Sequence, residues 1–411
     1  MSALSALSAH PATSTASAPP TKPAVRHARR RIPVAAAALA LVLTACGSET
    51  PPDATAPARF ADPLDGASVE ELYERARQEG RVVVYSFTSR IADVEPVFEA
   101  AYPGVDLVAT DISSTEQIDR LKTEVTTDAP GADVVYISDA PIVYTQLQAV
   151  GLLRNYVPPR LAGALPDRYA EPLANRLSTK TLMYNEEAHP EGPPVTNLWQ
   201  LTDPEWSGRV VMVDPEVRAD YLDLMTEIVL RSEEMEVAHQ ELRGTPVQLD
   251  PGVESAGEQW IRDLYGNGLV LVEDTDEVNA AVGARGQEAP PVGFTSYSDR
   301  RDNEDEGWAL QAATGVAPAP GIAYPALLAI PFDAANPAAA RLLVDFLMGD
   351  DSETGGPGYE PFYVPGDYPT RTDVTPPADA VSLTELGVWE IDARAVAERR
   401  DEVAAVVQGL R

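Results

Sequence analysis

The chain has 411 residues, 64 of them acidic and 31 basic, which gives a net charge of −33 at pH 7. So negative a surface argues against electrostatic binding of nucleic acid or of anionic lipid headgroups. The single cysteine excludes an intramolecular disulfide. A chain of this length can bury a large core, and the usual size of domains predicts two domains or lobes.

The first segment in chain order has the layout of a secretory signal. Basic residues up to Arg31 precede an apolar run at 32–43, and Leu43-Thr44-Ala45-Cys46 closes that run. A cysteine directly after Leu-Thr-Ala resembles a bacterial lipobox, which implies cleavage before Cys46 and a lipid on its sulfur. The alternatives are a plain signal peptide with a chance cysteine and a transmembrane helix, but the run is shorter than the ~20 residues that span a bilayer.

We therefore predict a lipoprotein signal peptide at 1–45 and a lipid-anchored flexible tether at 46–66, a stretch rich in Pro, Ala, Ser and Asp. Removal of residues 1–45 takes away five basic and no acidic residues, so the net charge falls from −33 to −38. The mature protein would then be a body anchored on the outer face of the cell membrane.

Strands and helices alternate after the tether. Ser68 and Glu71 predict a capping box for the first helix, which ends at Gly80. Short apolar strands are predicted at 82–85, 105–110 and 133–137, each followed by polar residues and a helix. This alternation predicts parallel βαβ units.

The three predicted strands all end in hydroxyl-bearing or acidic side chains. These are Ser86, Thr88, Ser89, Ser113, Ser114, Thr115, Ser138 and Asp139. Ligands of open α/β sheets bind beyond the carboxyl ends of the strands, and helix N-termini there favour anionic or polar groups. Helix capping explains any one of these loops, because Ser, Thr and Asp are preferred caps. Three such loops on one sheet edge favour a ligand cleft.

A second region opens after Pro158-Pro159 and also mixes strands with helices. Strands are predicted at 181–185, 209–213, 269–272, 292–294 and 323–330, and helices at 220–231, around Trp260, at 338–348 and at 392–410. Residues 351–380 are rich in Gly, Pro and Tyr and are predicted to be a loop. The aromatic residues Tyr359, Phe362, Tyr363 and Tyr368 are expected to pack this segment onto a lobe.

Four stretches of the sequence carry a family resemblance. They are Val82-Val83-Val84-Tyr85-Ser86 with Ala101-Tyr102-Pro103-Gly104, then Ala132-Asp133-Val134-Val135, then Leu198-Trp199 with Leu201-Thr202-Asp203-Pro204-Glu205-Trp206-Ser207-Gly208-Arg209-Val210, and Asn336-Pro337-Ala338-Ala339-Ala340. Over roughly residues 67–350 the chain resembles type II periplasmic binding proteins, the substrate-binding subunits of ABC importers. It is most similar to the ferric-ion-binding cluster.

The resemblance implies an α/β fold of two lobes, joined by hinge-crossing strands near 182–185 and 323–330, with a ligand cleft between the lobes. By this analogy lobe 1 begins with 67–183, lobe 2 covers 184–322, and the chain returns to lobe 1 at 323–350. Residues 351–411 would form a C-terminal loop and helix that pack on the lobes. Such receptors close around their ligand by a hinge motion.

The resemblance also implies ligand contacts from lobe 2, at Thr295, Ser296 and Tyr297. Ferric-ion-binding relatives carry two adjacent tyrosines there, whereas this chain has one. We therefore predict no bare Fe(III) site and no other metal site. Next to this loop, Arg300 and Arg301 offer planar donor forks for carboxylate or phosphate. A surface ion-pair cluster with Asp299 and Asp302 is the equal alternative for these arginines.

Other reactive residue types give weaker signals. The sequence contains no nucleophile elbow, phosphate loop or metalloprotease helix motif. His189 and His239 are expected to be solvated, and the acidic run 273–276 is expected to be a solvated loop rather than a site for Ca²⁺ or a polyamine. The sequence predicts a protein that is not an enzyme and needs no cofactor.

Together these observations predict an extracytoplasmic lipoprotein that captures a small polar or anionic solute, or a metal chelate, for an ABC importer. Its predicted partners are the solute, the permease and ATPase subunits, and the membrane through its lipid, and it is expected to be monomeric. A ligand sensor that signals to a membrane partner remains an alternative, as does an envelope enzyme on the same scaffold.

Overall fold

The computed structural model describes residue 62 and residues 64–127, 129 and 131–411. The predicted signal peptide at 1–45 and the predicted lipidation site Cys46 lie outside these residues. No helix in the part of the chain that the structure describes is long and apolar enough to cross a membrane.

Twelve strands in the described residues form one mixed sheet. They are β1 (Arg81–Ser86), β2 (Asp106–Asp111), β3 (Val134–Ile137), β4 (Leu153–Arg154), β5 (Ala174–Asn185), β6 (Val210–Val213), β7 (Val270–Val272), β8 (Val292–Thr295), β9 (Leu310–Ala312), β10 (Gly321–Pro331), β11 (Tyr368–Pro369) and β12 (Trp389–Glu390). The main path of the sheet runs β2-β1-β3-β10-β5-β8-β6-β7. Strands β9 and β11 pair with β5, and β4 and β12 pair with β10.

The α-helices cover the faces of this sheet. They are α1 (Val69–Glu79), α2 (Ile91–Ala101), α3 (Ser114–Thr127), α4 (Ala140–Ile142), α5 (Ala219–Leu230), α6 (Ser232–Arg243), α7 (Ala256–Gly266), α8 (Thr275–Gly283), α9 (Asn303–Glu306), α10 (Pro337–Leu347), α11 (Leu383–Leu386) and α12 (Ala393–Gly409). The first helix has the predicted ends, with a capping box at Ser68 and a left-handed Gly80.

The sheet belongs to two lobes. In lobe 1, β1 pairs in parallel with β2 and β3. In lobe 2, β6 pairs in parallel with β7 and β8. In both lobes the strands are linked by helices, so their carboxyl ends meet at one edge of the sheet.

Two long antiparallel strands, β5 and β10, connect the lobes. Strand β10 pairs with β3 of lobe 1, and β5 pairs with β8 of lobe 2. The two strands approach closely at Gly321, where an added Cβ would collide with the carbonyl oxygen of Lys180. The predicted lobe boundaries at 183/184 and 322/323 both fall within these crossing strands.

Residues after the second crossing pack on both lobes. Tyr359 and Phe362 are buried in the apolar cluster of lobe 1, together with Phe98 and Leu343. The last helix, α12, packs against α5 of lobe 2 and against α4 after the lobe-1 strand β3. The C-terminal 61 residues therefore contact both sides of the crossing strands.

Several elements differ from the sequence prediction. Strand β5 begins at Ala174 instead of residue 181, because the stretch before residue 181 pairs with β10 and buries its polar side chains on both faces. The acidic run 273–276 is the start of α8 instead of a loop, since Asp274 caps that helix. The third helix is capped by Ser113, whereas the hydroxyl of Ser114 bonds across to Ser138.

Candidate functional site

A cavity of about 310 Å³ lies between the lobes, beyond the carboxyl ends of their parallel strands. Loops after β1, β2 and β3 form one wall, and loops after β6, β7 and β8 form the other. The crossing strands β5 and β10 supply the floor. The lining residues are Phe87, Thr88, Ser89, Arg90, Asp111, Ser113, Ser114, Thr115, Ser138, Arg176, Ser178, Lys180, Arg218, Ala219, Asp220, Thr275, Asp276, Ser296, Ser298, Asp299, Arg301 and Tyr324.

Seven of the twelve predicted ligand residues line this cavity. They are Thr88, Ser89, Ser113, Ser114, Thr115, Ser138 and Ser296. Some of these hydroxyls already have hydrogen-bond partners within the protein. Ser114 Oγ lies 2.9 Å from Ser138 Oγ, and Ser113 Oγ accepts a hydrogen bond from the backbone N–H of Glu116 in α3. Ser89 and Thr115 are exposed to the cavity and keep their hydroxyls available.

The other two predicted residues of the lobe-1 wall do not line the cavity. Ser86 is fully buried and its hydroxyl donates to the carbonyl oxygen of Thr88 at 2.9 Å. Asp139 faces away from the cleft and forms an ion pair with Arg400 of α12 at 2.9 Å. Both side chains therefore hold the wall in place, and neither faces the ligand space.

Three predicted residues of the lobe-2 wall also lie outside the lining. Thr295 is buried and donates to Asp299 at 3.3 Å. Tyr297 is 1% exposed, and its hydroxyl accepts a hydrogen bond from the Val381 backbone. Arg300 opens onto a different cavity, whereas its neighbour Arg301 lines the cleft.

The floor at the lobe-1 end holds a cluster that we call the Asp367 triad: Arg90, Arg176 and Asp367. The Asp367 carboxylate lies 2.7 Å from Arg90 and 3.0 Å from Arg176. The Arg176 guanidinium is fully buried and packs on the rings of Phe87 and Phe362 at 5.5 and 4.8 Å. Its Nη1 atom has no hydrogen-bond partner among the described residues.

Burial and charge act in opposite directions in the Asp367 triad. Burial lowers the pKa of Arg176, the Asp367 charge opposes this, and Arg90 adds to the lowering. Burial would raise the pKa of Asp367, but Arg176 and Arg90 outweigh it and hold that pKa below its usual value. The triad thus holds two cations and one carboxylate, with a net charge of +1.

The floor at the lobe-2 end holds a second cluster, the Asp220 triad: Lys180, Arg218 and Asp220. The Asp220 carboxylate lies 3.1 Å from Lys180 and 3.0 Å from Arg218. Lys180 is 1% exposed and also donates to Ser296 at 2.8 Å and to Tyr324 at 3.2 Å. Its charge therefore has three polar partners, one of them on the crossing strand β10.

The Asp220 triad stays ionised throughout the usual pH range. Burial would raise the pKa of Asp220, but Arg218 and Lys180 lower it to about 2. Burial is the largest single effect on Lys180 and would lower its pKa, but Asp220, Tyr324 and Tyr221 together outweigh burial and raise that pKa. The net charge of this triad is also +1.

Acidic groups complete the cleft, mostly on its walls. Burial raises the pKa of Asp111 on the lobe-1 wall, and burial together with Asp274 and Asp299 raises that of Asp276 on the lobe-2 wall. Asp299 is paired with Arg301 at 3.1 Å. The lining as a whole contains five basic and four acidic side chains. Asp367 lies beneath this lining and balances the count, so the excess of positive charge is confined to the two floor triads and the excess of acidic groups lies on the walls.

Four helices of nine or more residues begin at this cleft. Residues of the first turn, or just before it, line the cavity in α2, α3, α5 and α8. Free N–H groups and the helix dipole make such ends favourable for anions. The buried, unpartnered Nη1 of Arg176 adds an independent donor at the same cavity.

The sequence analysis missed the floor because it applied the strand-end rule. Arg176, Ser178 and Lys180 lie inside β5, on alternate residues that share one face. The sequence does not mark this face, because Asn175, Thr179 and Thr181 place polar side chains on the other face as well. Arg218 and Asp220 lie where the loop after β6 enters α5, and the same rule applies to that loop.

The described residues contain no group of three or more His, Cys, Asp and Glu side chains placed to hold a metal ion. The tyrosine that lines the cleft is Tyr324, which accepts a hydrogen bond from the Lys180 ammonium. His239 packs edge-on against Trp199 and lies outside the cleft lining.

Comparison with known proteins identifies the architecture. The sequence model for the bacterial extracellular solute-binding protein family matches residues 83–354. A comparison with the sequences of curated proteins finds no match.

Solved structures of similar fold were found over most of the chain. Iron-bound HitA from Pseudomonas aeruginosa has 17% identity and a TM-score of 0.62, and the match covers 80% of this chain and 99% of that one. AfuA from Actinobacillus pleuropneumoniae with bound fructose-6-phosphate has 20% identity and a TM-score of 0.59, and the match covers 80% of this chain and 97% of that one. Apo ferric ion-binding protein A from Pasteurella haemolytica has 16% identity and a TM-score of 0.58, and the match covers 80% of this chain and 98% of that one. These likenesses confirm the two-lobed type II periplasmic-binding-protein fold.

Proposed function

The chain belongs to the family of bacterial extracellular solute-binding proteins, and we propose that it captures a small anionic organic solute in the cleft and delivers it to an ABC permease. The observation that carries this proposal is the cleft floor. Two pairs of cations there share only one carboxylate per pair, and Arg176 keeps a buried donor without a partner. A buried donor without a partner is costly, and an anionic ligand would supply the missing acceptor.

The charge of the whole molecule supports an anionic ligand. A strongly acidic surface repels anions, so the cleft floor, where four cations meet only two carboxylates, is the position that favours an anion. The relatives named above include one with fructose-6-phosphate, an organic anion, and one with iron. For this chain the organic anion is favoured, because ammonium and guanidinium groups fill the floor where a metal would need anionic ligands.

We further propose that Cys46 carries a lipid anchor, which would hold the body on the outer face of the cell membrane. The support is the sequence Leu43-Thr44-Ala45-Cys46 at the end of a short apolar run. Under this proposal the protein acts as a monomer. It closes on its ligand and then binds the permease, which works with the ATPase subunits.

The function as a ligand sensor remains the alternative, because the same closure could signal to a membrane partner. An envelope enzyme is disfavoured, because none of the residues that line the cleft is a cysteine or histidine.

A thermal-shift screen tests the proposed ligand class. The protein is mixed with phosphate esters, phosphonates, ferric citrate, amino acids and polyamines. We expect stabilisation by organic anions only, amounting to about 2.7 kcal/mol at a concentration 100 times Kd. Stabilisation by polyamines, with none by any anion, would contradict the proposal.

A further inference from the structure

The two triads of the cleft floor are built on one strand. Arg176 and Lys180 are both residues of β5, and Ser178 lies between them on the same face. Four residues of extended strand separate their Cα atoms by about 13 Å. The cationic clusters are therefore distinct and lie at opposite ends of the floor.

Each triad takes its second cation from a different lobe. Arg90 stands at the start of α2 in lobe 1, and Arg218 stands just before α5 in lobe 2. Both side chains line the cavity and are partly accessible, with 11% and 27% of the side chain exposed. A group bound at either triad therefore contacts one lobe and the crossing strand.

The two triads carry the same charge. In each of them, one carboxylate lies within 3.1 Å of two cations, which leaves +1 within the triad, and the wall carboxylate of Asp111 also interacts with Arg218. Closure of the cleft removes water from both ends, and a buried charge without a partner then becomes costly. A ligand with one anionic group could neutralise only one triad.

Hydroxyl groups occupy the space between the triads. Ser178 lies on the floor, and its cross-strand partner is Tyr324 of β10. Both line the cavity, as do the wall hydroxyls of Ser89 and Thr115. The middle of the cleft is therefore suited to a polar, hydrogen-bonding body.

We propose that the ligand carries two separated anionic groups on a polar body, one group for each triad. Bisphosphates, phosphorylated acids and hydroxylated dicarboxylates are members of this class. The inference rests on the proposed function, since it assumes that the cleft is the binding site. It also supplies a reason for closure, because only the closed form brings both lobes onto one ligand.

Titration calorimetry with matched probes tests the inference on the wild-type protein. The probes are fructose, fructose 6-phosphate and fructose 1,6-bisphosphate, together with glutarate, adipate and suberate. We expect a two-anion probe to bind at least tenfold more tightly than fructose 6-phosphate. If fructose 6-phosphate binds as tightly as every two-anion probe, the inference fails while the proposed function stands. If no anionic probe binds, both fail.

Single variants assign each anionic group to its triad. Arg90→Gln and Arg218→Gln each remove one cation and leave a triad with no net charge. We expect each variant to lose the tenfold preference for two anionic groups. Arg262→Gln is the matched control, because it breaks an ion pair with Glu258 on α7, away from the cleft. An unchanged preference in both triad variants would overturn the inference, and the wild-type comparison does not depend on their folding.

Discussion

Two buried carboxylates, Asp220 and Asp367, hold the cations of the cleft in place. Each is at most 5% exposed and lies within 3.1 Å of two basic side chains. Removal of one partner from such a cluster leaves a buried charge uncompensated. The resulting loss of folding free energy is larger than the net stabilisation that the intact ion pair provides. These residues therefore link the stability of the fold to the electrostatics of the site.

Asp220 should make stability depend on pH in acid. Its pKa falls from 3.8 to about 2 on folding, so its contribution is present above pH 4 and is lost as the pH falls towards 2. We expect this contribution to be about 2 kcal/mol. Urea unfolding at pH 7, 4 and 2.5 should show Asp220→Asn approaching wild type as the pH falls. Asp119→Asn, on the exposed face of α3, is the control. A wild-type–variant difference that does not change with pH would argue against this ion pair.

Bare Fe(III) should not give a tyrosinate complex with this protein. Tyr297 is buried outside the cavity, and Tyr324 is next to the Lys180 ammonium, which competes with a cation. On addition of Fe(III) nitrilotriacetate we expect no visible charge-transfer band. A strong band at one iron per protein, abolished by Tyr324→Phe or Tyr297→Phe, would refute this prediction.

The sequence predicted the walls of the cleft better than its floor. Thr88, Ser114 and Ser138 follow adjacent parallel strands, so topology alone brings them to one edge. Arg176 could not be placed by that rule, because it lies inside a strand and not after its end. Asp367 gave no signal, because it lies in a long loop and reaches the floor only through tertiary packing.

At the scale of elements, the last helix joins the two lobes through one side chain. Arg400 of α12 lies 2.9 Å from Asp139, which caps α4 after β3, and 3.2 Å from Asp223 of α5 in lobe 2. All three side chains are buried, and burial raises the pKa of Asp223 despite the nearby Arg400. The sequence predicted α12, but its charged composition did not reveal that one arginine is buried.

Loss of Arg400 should destabilise the protein strongly. Arg400→Met leaves Asp139 and Asp223 buried without their cation, and we expect a loss of about 3–5 kcal/mol. The matched control is Arg399→Met, whose side chain is 44% exposed and pairs only with Glu402 on the same helix. We expect that variant to lose less than about 1 kcal/mol. Urea unfolding measures both, and equal losses would show that Arg400 is not a buried link.

The crossing strands illustrate which elements a sequence can predict. The apolar run 323–330 identified β10, because a strand buried on both faces is continuously hydrophobic. Only the last five of the twelve residues of β5 were identified, since Arg176, Ser178 and Lys180 interrupt the apolar pattern before them. The same three side chains that interrupt the apolar pattern of this strand line the floor of the cleft.

At the scale of the whole molecule, the protein is a strongly acidic, two-lobed body whose cleft floor carries an excess of cations. Under the proposed function, a lipid anchor would keep this body near its permease, and the cations of the floor would select the ligand by charge. Ligand binding stabilises closure only to the extent that the closed form binds more tightly.

Cys46 should be the N-terminal residue of the mature protein and should carry the lipid. The lone cysteine after Leu43-Thr44-Ala45 motivates this prediction, and it lies outside the described residues. Mass spectrometry of the native protein should find acylated Cys46, and Cys46→Ser should accumulate unprocessed precursor in the membrane. An intact bond between Ala45 and Cys46 in the mature protein would rule out lipidation.

Native mass spectrometry of the protein extracted from its own membrane tests the central claim most directly. We expect a mass excess equal to one small molecule, released as an organic anion, and we expect no such excess in the double variant Arg90→Gln/Arg218→Gln. Release of a polyamine or of bare iron, or the same excess in the double variant, would contradict an anion-binding cleft.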